Sequence, residues 1–231
     1  MSSEPLSAVE IDTAPRPDAA VIWLHGLGAD GHDFEPLVPE LAPRGVGAWR
    51  FVLPHAPVRP VTLNAGMRMR AWYDVVGLER HAAQDEAGVR AADAAVRALI
   101  RRERERGIAC QRIVLAGFSQ GGALALFTGT RYPERLAGLI GLSCYLPLSE
   151  SFAAERQAAN ATTPVFLAHG AYDPLVDPRF GEQTRAALEA GGHPVEWHSY
   201  PMEHAVCPEE IAAIAAFLRR VLGASAAART P

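Results

Sequence analysis

Short, almost uninterrupted apolar runs alternate along the chain with longer segments whose apolar positions recur every three or four residues. The runs Ala19–His25, Trp49–Leu53, Arg112–Gly117, Leu136–Leu142, Val165–His169 and Pro194–Tyr200 have strand length. Ile113-Val-Leu-Ala and Val165-Phe-Leu-Ala are apolar at every position, which suits strands covered on both faces. Between the runs, Ala83–Arg106 places Val89, Val96, Leu99 and Ile100 on one side of a helix closed by Gly107. A last helix opens at Pro208-Glu209-Glu210 and carries a stripe of Ile211, Ile214, Phe217, Leu218 and Val221. The alternation predicts βαβ units and a mostly parallel sheet with helices on both faces.

Neither an internal repeat nor a long linker divides the 231 residues, so a single domain is expected over 1–231. Its ordered core should run over about 5–222, with 224–231 as a frayed tail after Gly223. A chain that is 49% hydrophobic and 21% charged lies far from the disordered class. The net charge of −4 supplies no basic field for nucleic acid or anionic lipid, although all 22 basic residues are Arg. Three cysteines, Cys110, Cys144 and Cys207, cannot all pair, and Cys144 reads as a small buried hydrophobe. No signal peptide, lipidation motif or membrane-length apolar run is visible, so a soluble cytoplasmic protein without a stable membrane anchor is expected.

The most informative string is Ile113-Val-Leu-Ala-Gly117-Phe118-Ser119-Gln120-Gly121-Gly122. The pentapeptide G-x-S-x-G is weak alone, but here an apolar strand runs into it and a helical period runs out. So sharp a turn forces Ser119 into a strained backbone and exposes its hydroxyl at the C-terminal edge of the sheet. The residues two before and two after must be tiny, because a Cβ there would strike the facing strand or helix.

A nucleophilic serine needs hydrogen-bond donors where negative charge develops. The Gln120 N–H, first after the serine, is one. The Gly-rich turn His25-Gly26-Leu27-Gly28 after an earlier strand supplies the other through Leu27 N–H, with His25 shaping the loop. Asp30-Gly31-His32-Asp33 matches no calcium or zinc spacing, and Asp33 reads instead as N-cap of a helix Phe34–Leu41.

Among eight histidines, His204 lies in the loop between the last strand and last helix, at the edge where ligands bind in such sheets. His193 reads as part of a helix-end turn and His198 as a strand residue facing Glu196. His55 sits among prolines, and His32 and His81 read as exposed. For the acid, Asp173 follows a strand by a short turn, and Asp177 before Pro178 suits an N-cap, so Asp173 is preferred. Ser119…Asp173…His204 is the nucleophile–acid–base order of the α/β-hydrolase fold.

The strings HGLGADGHDF, GMRMRAWYD, GFSQGG, HGAYDPLV and MEHAVCPEE, spread between Val21 and Phe217, resemble the bacterial carboxylesterases of the phospholipase/carboxylesterase family. Acyl-protein thioesterases and lysophospholipase-like enzymes belong to the same family. The resemblance implies a cytosolic serine hydrolase with Ser119, Asp173 and His204 as triad and Leu27 and Gln120 as oxyanion donors. It implies no organic or metal cofactor. Arg70-Ala-Trp72-Tyr-Asp74 is similar to the carboxylesterase branch more than to the eukaryotic thioesterases.

Too few residues lie between Leu142 and Val165 for a large cap domain, so a shallow cleft is expected. Leu63, Met67, Met69 and Trp72 on one side, with Leu146, Leu148 and Phe152 on the other, are candidates for an apolar acyl groove. The expected activity is hydrolysis of short- to medium-chain carboxylic esters through an acyl-enzyme on Ser119, acyl-protein thioesterase or lysophospholipase activity being the alternative. The partner is then a small-molecule or lipid ester, and a weak homodimer is compatible with exposed Met and Trp. Two rivals stand beside this reading. A binding module without turnover would have lost a triad member, and none is lost. A metal-dependent hydrolase would use His25, His32 and Asp33.

Overall fold

The computed structural model describes residues 6–43, 45–77 and 83–223. Two of the expectations above, on His81 and on the tail 224–231, lie outside the described residues.

Strands β1 (Ala8–Asp12), β2 (Ala19–Leu24) and β3 (Trp49–Pro54) come first, with a short helix α1 (Val38–Leu41) between the last two. A two-stranded hairpin, β4 (Val58–Val61) and β5 (Met67–Arg70), then precedes α2 (Glu86–Glu105). The remainder alternates regularly: β6 (Ile113–Phe118), α3 (Gln120–Arg131), β7 (Gly138–Leu142), α4 (Ser149–Glu155), β8 (Val165–Gly170), α5 (Pro178–Ala190), β9 (Val195–Tyr200) and α6 (Pro208–Leu222). Seven strands form one sheet in the order β1-β3-β2-β6-β7-β8-β9. Every neighbouring pair in it is parallel except β1 with β3, in the register Val9 opposite Leu53.

Successive strand side chains point to opposite faces, and β2 uses both. Ala20, Ile22 and Leu24 join a core with Val96 and Leu99 of α2 and Leu124 and Phe127 of α3. Ala19, Val21 and Trp23 join a second core with Val38 and Leu41 of α1 and Ile214 and Phe217 of α6. The six expected strands are therefore present, and the uniform apolarity of the central ones follows from this double coverage, whereas β9 at the sheet edge is half-buried and mixed in polarity. All twelve residues of α3 are buried, which makes it the rigid element behind the serine turn.

Three expectations need correction. The helix expected over Phe34–Leu41 is a 3-10 turn, Glu35–Leu37, followed by α1, and Asp33 caps neither. Pro36 and Pro39 each lack an N–H and interrupt a continuous helix there. The helix expected from Ala83 begins at Glu86, where the Asp85 carboxylate accepts the Gly88 N–H at 2.9 Å. Strand β1 and the β4–β5 hairpin were not foreseen. Both are mostly half-buried or exposed and lack a continuous apolar run.

Candidate active site

Strand β6 ends in a turn where Ser119 has φ 54° and ψ −121°, a left-handed region that disfavours side chains. The turn closes only because its flanks are glycine. A Cβ on Gly117 would lie 2.4 Å from the Gly121 carbonyl, and one on Gly121 would lie 2.1 Å from the Leu24 oxygen. The steric prediction for the serine motif holds. The Ser119 N–H donates to Leu142 O at 2.8 Å, anchoring the turn to β7.

The loop after β2 packs beside it. A Cβ on Gly26 would meet Ser119 Cβ at 3.6 Å and Phe118 Cδ1 at 3.3 Å. Four hydrogen bonds fix this loop. His25 Nδ1–H donates to Gly26 O at 2.7 Å, and His25 Nε2 accepts from Ala56 N at 3.0 Å. Trp72 Nε1 donates to His25 O at 2.9 Å, and Gly28 N donates to Arg70 O at 2.9 Å. Burial holds the His25 pKa below the usual histidine value, consistent with a neutral ring that donates from one nitrogen and accepts at the other. Leu27 and Gln120 border the same cavity, and among the described residues neither backbone N–H has a hydrogen-bond acceptor.

Two further loops complete the site. Asp173 follows β8, and its Oδ1 accepts the N–H groups of Leu175 and Val176, both at 2.9 Å. Its Oδ2 lies 2.7 Å from His204 Nδ1. A Cβ on Gly170 would sit 2.2 Å from Glu203 O, so glycine there lets the His204 loop close onto β8. The Phe118 ring, next to the serine, packs 4.7 Å from the imidazole of His204, centroid to centroid. Ser119, His204, Leu27 and Gln120 all line one cavity of about 310 Å³.

The other candidates fall elsewhere. Asp177 caps α5 by accepting Arg179 N at 3.0 Å, as its position before Pro178 predicted. His198 pairs with Glu196 at 2.9 Å on β9, and His193 lies buried against Thr163 O at 3.1 Å. His32 pairs with Glu35 at 2.6 Å and His25 is held by Gly26 O and Ala56 N, so the two imidazoles are engaged apart from each other. Among the described residues no three His, Cys, Asp or Glu side chains are placed to hold a metal.

The acyl-groove assignment is largely corrected. Leu63 lines the cavity, and its side chain is 44% exposed at the mouth. Trp72, Leu146 and Phe152 are core residues, and Leu148 packs half-buried against that core at the start of α4. Met67 projects from the hairpin at 64% exposure, while Met69 is half-buried behind Gly28. The walls missed are Tyr73, Val75, Tyr145, Leu175 and Val176. Tyr73 and Tyr145 meet across the cavity through their hydroxyls at 3.2 Å, and burial raises the pKa of both.

A parallel sheet flanked by helices, with a serine on a strained strand-to-helix turn and a paired Asp and His on the following loops, defines an α/β-hydrolase. A family model described as Phospholipase/Carboxylesterase matches residues 7–222, and the chain belongs to that family. It is a serine hydrolase of the esterase type. The chain is 42% identical over 217 residues to acyl-protein thioesterase 1 of Neurospora crassa, covering 90% of this chain and 89% of that protein. It is 40% identical over 224 residues to acyl-protein thioesterase 1 of Mycosarcoma maydis, covering 90% and 93%. The crystal structure of Zea mays acyl-protein thioesterase 2 superposes with a TM-score of 0.84 at 30% identity, covering 94% of this chain and 99% of that one. These relatives are fungal and plant thioesterases, so they lend no support to the bacterial carboxylesterase branch suggested by Arg70–Asp74. Among the described residues no helix is long and apolar enough to cross a membrane.

Proposed function

We propose that this protein is an acyl-protein thioesterase-type hydrolase that cleaves acyl thioesters and esters through an acyl-enzyme on Ser119. The observation that carries this reading is the 2.7 Å contact between Asp173 Oδ2 and His204 Nδ1, in a cavity shared with Ser119 and two N–H groups without acceptors. Relatives named acyl-protein thioesterase 1, matched over nine-tenths of the chain, favour the thioester.

The chemistry follows from the positions. Asp173 fixes the tautomer in which His204 carries its proton on Nδ1, leaving Nε2 free to take the Ser119 proton as Oγ attacks the acyl carbonyl. The oxyanion is received by Leu27 N–H and Gln120 N–H, each donor worth about 3–4 kcal/mol in the transition state. His204 then returns the proton to the departing thiolate or alkoxide. Water, deprotonated by the same imidazole, releases the acid and restores Ser119. The cavity walls, Leu63, Val75, Leu175 and Val176 with two tyrosine rings, receive the acyl chain.

The deciding experiment is a matched chain-length series of acyl thioesters and oxoesters, run on the parent enzyme and on Ser119→Ala. Turnover and a single fluorophosphonate adduct in the parent, both absent in Ser119→Ala, are expected. A higher kcat/KM for thioesters than for oxoesters of equal chain is also expected. Parent-rate turnover by Ser119→Ala refutes the mechanism, and a clear oxoester preference at short chain returns the reading to a carboxylesterase.

A further inference from the structure

Four residues before Asp173 lies a buried imidazole to which the mechanism gives no task. His169 is at the end of β8, 1% exposed, with Nε2 2.8 Å from Val176 O and 3.4 Å from Asp173 Oδ2. Both neighbours are acceptors, so Nε2 carries the proton. Nδ1 has no partner among the described residues and faces Gly181 of α5. A Cβ there would lie 2.5 Å from Nδ1 and 2.9 Å from the Trp197 ring, so that helix position is small enough to admit the imidazole. Burial lowers the His169 pKa, which keeps the ring neutral.

From this geometry we infer that His169 is a positioning residue for the acid: its Nε2–H ties down the turn that aims Asp173 at His204. The inference rests on the triad reading above. The chain of contacts is closed. Asp173 N donates to Gly170 O at 3.2 Å, Val176 N donates to Asp173 Oδ1, and Val176 O is held by His169. Val176 is thus fixed on both sides, its N–H on the carboxylate and its C=O on the imidazole. Without the second anchor its N–H is free to swing away, and Oδ2 loses its 2.7 Å register with His204. A hydrocarbon of similar size would fill the same space without leaving a buried nitrogen unpartnered. The charged or titratable groups acting on this ring are Asp173, Asp177 and His204, with Gly181 of α5 against it beside the Trp197 ring of β9.

The test compares His169→Gln, whose amide reaches the Nε2 position, with His169→Asn, one methylene shorter. The Asn variant is expected to lose about 100-fold in kcat with KM within about 3-fold, as for any roughly 1 Å misplacement of a catalytic group. The Gln variant should restore most of the rate. In an Asp173→Asn background, His169→Asn should produce no additional fall. If the Asn variant does not fold, His169→Met, which fills the space but donates nothing, carries the same expectation. Equal rates for Gln and Asn, or losses that add to that of Asp173→Asn, overturn the inference. An Asp173→Asn enzyme as fast as the parent instead removes the triad reading on which it stands.

Discussion

Gln120 and Trp72, far apart in sequence, are joined across the active-site floor: Gln120 Oε1 accepts the Trp72 N–H at 2.9 Å, and Gln120 Nε2 donates to Tyr73 O at 2.8 Å. One residue therefore offers its backbone N–H to the cavity while its side chain holds the wall that carries Tyr73. Trp72 passes the constraint on by donating from Nε1 to His25 O at 2.9 Å, which ties the loop after β2 to the start of α3. Gln120→Ala keeps the backbone donor but leaves two buried backbone groups without partners. It should destabilise the protein by about 2–4 kcal/mol in chemical denaturation. Kinetically, KM should rise more than kcat falls, since the wall loosens and the nucleophile does not. An unchanged denaturation midpoint would show that the wall is held by other contacts.

Gly121 is required for a different reason. Its missing Cβ would occupy space 2.1 Å from Leu24 O and 2.5 Å from His25 O, both backbone atoms with no room to retreat. Gly121→Ala should lower stability by about 3 kcal/mol, at the upper end for overpacking. The soluble fraction should take up no fluorophosphonate, because displacement of α3 from β2 moves Ser119 and Leu27 apart. Stoichiometric labelling of a stable Gly121→Ala protein is the outcome that contradicts this account.

How much of this was legible beforehand depends on whether a residue's neighbours or its distant partners decide its place. The central strands could be read because burial on two faces makes every position apolar. Ser119 could be read because its sharp turn leaves a mark on the adjacent sequence, Gly117 and Gly121, whose absent Cβ atoms would strike the Gly121 carbonyl and Leu24 O. The acyl wall could not. In extended segments adjacent side chains point opposite ways, and two of the groove assignments missed by one: Trp72 faces the core where Tyr73 faces the cavity, and Leu146 is buried where Tyr145 lines the wall. Apolarity alone cannot tell such neighbours apart. His169 was hidden similarly, as one more position in a uniformly buried strand.

Glu210 makes stability depend on pH in the direction opposite to most carboxylates. It lies in the first turn of α6, fully buried, and burial pushes its pKa up to about 8 from an ordinary 4.5. The Cys207 N–H that faces it opposes this only in part and does not reach hydrogen-bond geometry. Below the unfolded value the group is protonated in both states and contributes nothing. Between there and about pH 8 only the unfolded chain releases the proton, so stability falls as pH rises. Glu210→Gln keeps the shape of the neutral acid and should raise unfolding free energy by on the order of a few kcal/mol at pH 8, with little change near pH 4.5. Equal gains at both pH values would show that Glu210 does not titrate as its burial requires.

The cavity also carries a charge that the reaction does not use. Asp33 lines it on the oxyanion-loop side, and among the described residues no cation pairs with its carboxylate. Burial, with a smaller contribution from Asp30, raises its pKa, as expected for an anion that lacks a partner. Asp33 is the only carboxylate among the described lining residues, beside the polar Asn64, Ser119, Gln120 and His204, and its charge favours a positive substituent on the substrate. An acylcholine and the matching 3,3-dimethylbutyl ester differ in charge and hardly in shape. At low ionic strength the parent should favour the choline ester by about 3- to 10-fold in kcat/KM, which is about 1 kcal/mol across a wet gap of a few ångström. Asp33→Asn should abolish that preference while leaving the neutral ester unchanged, and added salt should erode it in the parent. Equal kcat/KM for the two esters at low salt, or a preference that survives Asp33→Asn, would mean that this carboxylate faces bulk water and does not select the substrate.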